Sequence, residues 1–97
     1  MSIDKRLKNK FVDDLFDAIS LLKNRKECYQ FFEDICTVGE IRAMAQRFAV
    51  AKKLDGGEIY SDIVQETGAS TATISRVKRC LNYGADGYKL IIERLKK

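Results

Sequence analysis

The chain has 97 residues, enough for one domain and a modest core. Hydrophobic residues make up 45% and charged residues 33%, proline is absent, and 18 basic against 14 acidic side chains leave a net charge of +4; this is a globular composition, with no stretch near the roughly 20 apolar residues that a membrane helix needs. No histidine is present, which removes the commonest general base and metal ligand, and Cys28, Cys36 and Cys80 are odd in number and form no C-x-x-C pair.

Those cysteines are expected to pack as small hydrophobes, and neither catalysis, a cofactor nor a metal site is expected. The start, MSIDKRLKNKF, carries cations without an apolar run and small-residue cleavage site, so no secretory signal is read and a cytoplasmic location is expected.

Helical spacing runs through the chain and strand alternation does not. Ile3, Leu7, Phe11, Leu15, Ile19 and Leu22 recur at three- and four-residue steps, predicting an amphipathic helix of about five turns that ends near Asn24-Arg25. A second helix is expected over 25–36, with Cys28, Phe31, Phe32, Ile35 and Cys36 on its apolar side. The next four residues, TVGE, set Thr37 and Glu40 three apart before an apolar-periodic run, the signature of a reciprocal capping box. The helix they open carries Ile41, Met44, Ala45, Phe48 and Leu54 and stops at Asp55-Gly56-Gly57.

A shorter helix is expected over about 59–66, burying Ile59 and Ile63, and ended by Gly68. Ser70 then suits the N-cap of a fifth helix over about 71–81, in which Ile74, Val77 and Leu81 share one face. After a break at Asn82-Tyr83-Gly84, Asp86 is expected to cap a last helix containing Tyr88, Ile91, Ile92 and Leu95. Short loops and the lack of any linker predict a single domain over 1–97. The aromatic load of the first two helices exceeds what so short a chain can hide, which favours a homodimer with 1–36 as dimerisation helices.

Two helices joined by a short glycine turn form a helix-turn-helix pattern, here over 58–81, with a C-terminal helix over 86–97. Thr71, Ala72, Thr73 and Ser75 fall on the outer side of the second helix near its start. Small side chains there let a helix approach base edges, where hydroxyls can hydrogen-bond and methyl groups can meet thymine. Arg76, Lys78 and Arg79 follow, suited to backbone phosphates. The competing function is a helical protein-interaction module of the transcription machinery that uses the same corner without base readout.

The segments TVGE, TGAS and ATISR, in register over 37–95, resemble the Trp repressor family, and LDGGEIYSDIVQETGASTATISRVKRCLNYGADGY is similar to its YerC/YecD branch. The resemblance implies a six-helix, intertwined homodimer acting as a DNA-binding transcriptional regulator, with Thr71, Ala72, Thr73 and Ser75 at the base-reading positions. It also places a corepressor pocket at Thr37, Arg47, Arg76, Val77 and Cys80. Two arginines that flank a bound indole in the family are retained as Arg47 and Arg76. Val77, however, stands where the family keeps a glycine beside the ligand, and Cys80 stands where it keeps a serine. The added bulk of Val77 argues against L-tryptophan as effector, and the resemblance names no other small molecule.

Overall fold

The computed structural model describes residues 3–97, all of whose regular elements are helical. After a 3-10 turn at Lys5–Leu7, six helices follow: α1 (Lys10–Ile19), α2 (Arg25–Ile35), α3 (Val38–Asp55), α4 (Tyr60–Thr67), α5 (Thr71–Tyr83) and α6 (Gly87–Leu95). The expected all-helical class holds, and the chain divides into two compact units, one reaching to Ile41 and one from Arg42 to Lys97.

In the first unit the expected five-turn helix is shorter. Asn9 takes an extended conformation and its side chain accepts the Val12 N–H at 2.9 Å, so α1 begins only at Lys10. An asparagine oxygen satisfies an otherwise unpaired first-turn donor, and that local bond starts a new helix inside the apolar stripe. Beyond Ile19 the chain tightens, with Leu21 N–H reaching the Ala18 carbonyl and Leu22 N–H the Ile19 carbonyl. Asn24 caps α2 through the Glu27 N–H, while the Glu27 carboxylate accepts from the Lys23 N–H.

The capping box of α3 is formed as expected: Glu40 N–H donates to the Thr37 hydroxyl at 3.1 Å and Thr37 N–H donates to the Glu40 carboxylate at 2.8 Å. Those bonds hold the Glu40 carboxyl below the usual glutamate range. Neither α1 nor α2 contains a buried residue. Phe11 is 85% exposed, and Cys28 lies on the surface instead of packing. Cys36 is half-buried.

The core lies wholly in the second unit. Val50, Ala51, Ile63, Ala69, Ile74, Val77, Leu81 and Ile92 are buried, and Phe48, Leu54, Tyr60, Val64 and Tyr88 pack against them. Each fully buried valine, isoleucine or leucine contributes about 1.5–3 kcal/mol relative to exposure. Helix α3 ends in a reverse turn in which Glu58 N–H reaches the Lys53 carbonyl and Gly57, at φ 83°, supplies the left-handed residue.

Several expectations in this unit need correction. Ile59, expected in the core, precedes α4 in an extended conformation and is exposed. Helix α5 runs on to Tyr83 and stops at Gly84. Asp86 precedes α6 in a left-handed conformation at φ 67° and makes no side-chain cap bond. Ile91, Leu95 and Cys80 are also exposed, leaving Ile92 as the buried residue of α6.

Candidate nucleic-acid interface

Helices α4 and α5 meet at a three-residue turn, Gly68-Ala69-Ser70. Gly68 has φ 74°, a left-handed conformation open to glycine at no steric cost, and its N–H bonds the Val64 carbonyl at 2.9 Å. Ala69 then tucks into the core, 2% exposed. The Thr67 hydroxyl stitches the bend by donating to the Ile63 carbonyl at 2.6 Å and accepting from Ala69 N–H at 3.1 Å. From α3, the Gln46 side-chain amide donates to the Thr67 carbonyl at 3.2 Å.

Ser70 caps α5, accepting the Thr73 N–H at 3.1 Å. Its hydroxyl also lies 3.1 Å from that of Thr73, donating to it. Ile74, Val77 and Leu81 form the inward face of α5. Thr71, Ala72 and Ser75 are exposed near its start, and Thr73 is half-buried beside the cap.

Arg76, Lys78 and Arg79 are exposed further along. Among the described residues the ion pairs are Arg6–Asp4, Lys53 with Glu58 and Glu66, and Lys96–Asp55, so none of the three α5 cations is held by a carboxylate. Two of those pairs brace the head. Lys53 joins the end of α3 to the end of α4, and the Glu66 carboxylate raises its pKa above the ordinary lysine value. Lys96, just past α6, reaches Asp55 at 3.0 Å.

Of the residues expected at a corepressor pocket, Thr37 belongs to the first unit, where it is occupied by the capping box. In the second unit Arg47 is half-buried, Arg76 and Cys80 are exposed, and Val77 is 1% exposed inside the core. No group of three or more potential metal ligands occurs among the described residues.

Sequence reasoning missed Gln46, Ala69 and Tyr60. The Lys78 ammonium stands over the Tyr60 ring, 5.7 Å from its centroid. Both residues line an open cleft of about 420 Å³, together with Leu54, Ile59 and Leu81. An aromatic at the first position of α4 was visible in the chain, but nothing local pairs it with a lysine eighteen residues on.

A capped second helix, a left-handed glycine turn and an inward apolar seam define an all-helical protein with a helix-turn-helix head. The model of the Trp repressor protein family matches residues 10–96. The chain belongs to the Trp repressor family. It is 56% identical over 97 residues to the uncharacterized protein YerC of Bacillus subtilis strain 168, covering all of this chain and 92% of that protein. A crystal structure of a candidate Trp repressor from Staphylococcus aureus superposes with a TM-score of 0.93 at 53% identity, over 98% of this chain and 96% of that one. A TrpR like protein from Eubacterium eligens gives the same TM-score at 55% identity, over 96% of each chain.

Proposed function

We propose that the chain is a homodimeric transcription regulator that binds double-stranded DNA sequence-specifically through α5 and does not depend on L-tryptophan. The observation that carries this is the division of α5 into an inward seam of Ile74, Val77 and Leu81 and an outer face of small side chains followed by unpaired cations. Small residues let the start of the helix come close to base edges in the major groove. Thr71, Ala72, Thr73 and Ser75 read bases, and Arg76, Lys78 and Arg79 bind phosphates. Membership of the Trp repressor family supports a DNA-binding regulator.

The homodimer is supported by apolar surface that one chain leaves open. Phe11 and Tyr29 are exposed in the first unit, and Tyr83, Leu90 and Leu95 in the second; aromatic side chains are enriched where protein surfaces associate. A two-fold dimer places its heads in successive major grooves, roughly 34–36 Å apart. Against tryptophan stands Val77, which fills the space the family leaves for ligand. Arg47 and Arg76 then act as surface cations. A calorimetric titration with L-tryptophan is expected to show no saturable heat.

Selection of binding sites from random DNA, followed by affinity measurements over a range of salt, tests the proposal. Binding should fall steeply as salt rises, through counterion release. Thr71→Ala and Ser75→Ala should relax base preference, and Lys78→Ala should weaken all sequences alike and reduce the salt slope by about one. Salt-insensitive association with a protein partner, and no selected DNA site, would transfer the function to a protein-interaction module.

A further inference from the structure

The cation over Tyr60 joins the two helices of the head. Tyr60 is half-buried and packs against the core, so its ring is held in place. Lys78 is exposed, has no carboxylate partner among the described residues, and stands 5.7 Å from the ring centroid, inside the roughly 6 Å over which an aromatic face attracts a cation. A lysine is a point charge on a flexible stem, and docking it on a phosphate freezes many rotamers. A ring beneath the ammonium restricts that stem in advance and leaves outward N–H groups free to donate. A carboxylate in the same place would neutralise the charge and have to be displaced.

We propose that Tyr60 is a positioning residue for phosphate binding, holding the Lys78 ammonium beside α4 before DNA arrives. The proposal rests on the DNA-binding function above and adds to it a residue that acts through Lys78.

Four variants test it: Tyr60→Phe keeps the ring and drops the hydroxyl, Tyr60→Leu keeps apolar bulk and drops the ring, and Lys78→Ala is made both alone and combined with Tyr60→Leu. By NMR, the Lys78 side-chain methylene protons next to the ammonium should show an upfield ring-current shift in the wild type and Tyr60→Phe, lost in Tyr60→Leu. Tyr60→Leu should weaken binding to all sequences by about two- to ten-fold, the range for ordering one flexible side chain on binding. Tyr60→Phe should bind as the wild type does, and Tyr60→Leu should cost nothing further once Lys78 is alanine.

Should Tyr60→Leu fail to fold, fluorinated phenylalanines at this position keep the shape while draining the ring's negative face, and affinity should fall stepwise with fluorination. An equal loss from Tyr60→Leu with and without Lys78, equal damage from Tyr60→Phe, or no upfield shift in the wild type would overturn the positioning role alone. A wild-type chain without salt-dependent DNA binding would overturn the DNA-binding function and this proposal with it.

Discussion

Gln46 on α3 donates its side-chain amide to the carbonyl of Thr67, 3.2 Å away and partly buried, where α4 gives way to the turn. The bond carries the orientation of the long helix into the corner of the head. Gln46→Leu keeps the bulk but leaves the Thr67 carbonyl short of a donor, and should cost about 1–2 kcal/mol. Urea unfolding should show a lower midpoint at unchanged slope, and amide exchange should quicken at Ala69, whose N–H bonds Thr67.

Gly84 ends α5 against its own last turn. A Cβ there would stand 2.3 Å from the Cys80 carbonyl oxygen and 3.1 Å from the Cys80 carbonyl carbon. Both are backbone atoms, so the clash cannot be relieved by a rotamer change. Gly84→Ala should therefore destabilise by about 1–3 kcal/mol or unwind the end of α5, readable as a lower melting temperature with loss of helical circular dichroism.

At Gly68 the cost has another origin. An added Cβ would find only the Gln46 side-chain nitrogen, at 4.0 Å, but φ is 74°. Gly68→Ala should lose about 1–2 kcal/mol through backbone strain. Gly68→Asn should lose less, since asparagine tolerates the left-handed region. Equal melting temperatures for the two variants would contradict this account.

Val77 is fully enclosed, and its removal opens the core. Val77→Gly forfeits buried aliphatic surface and adds a glycine within a helix, together about 2–4 kcal/mol. Thermal unfolding measures the loss. If the space is what excludes tryptophan, the variant should also show a ligand-dependent rise in melting temperature that the wild type lacks.

The Lys53–Glu66 pair sets a pH response. The Lys53 ammonium holds the Glu66 pKa below its ordinary 4.5. Because the folded value lies below the unfolded one, the stabilisation is fully present above about pH 4.5 and fades as pH falls through the lowered value. Lys53 behaves in the opposite sense: its pKa is raised above 10.5, so its share is present below that pH and lost above it. Lys53→Met should narrow the difference in melting temperature between about pH 6 and pH 3 by a small amount, as suits a surface pair.

Much of the fold was legible because its signals are local. Thr37 and Glu40, Gly68, and Ser70 with Thr73 act within three or four residues, and Ile74, Val77 and Leu81 repeat at helical spacing. The break at Asn9 was equally local, but a continuous apolar stripe from Ile3 to Leu22 concealed it. Asn24 reads as the end of the first helix, although its side chain caps the second. Asp86 misled because its residue type suits a cap, whereas its side chain makes no cap bond in the left-handed conformation. The pairings Gln46–Thr67 and Tyr60–Lys78 span 21 and 18 positions, beyond any periodicity in the chain.

The two faces of α5 have different freedoms to change over evolutionary time. Substitutions at Ile74, Val77 or Leu81 disturb the shared interior and are purged with the fold. Those at Thr71, Ala72 or Ser75 lie on the surface, where most replacements shift stability by no more than about 0.5 kcal/mol. Under the proposed DNA-binding function, a lineage carrying this head can alter the sequence it recognises by single steps while its scaffold stays intact, so chains of nearly identical shape would be free to diverge in the genes they answer to.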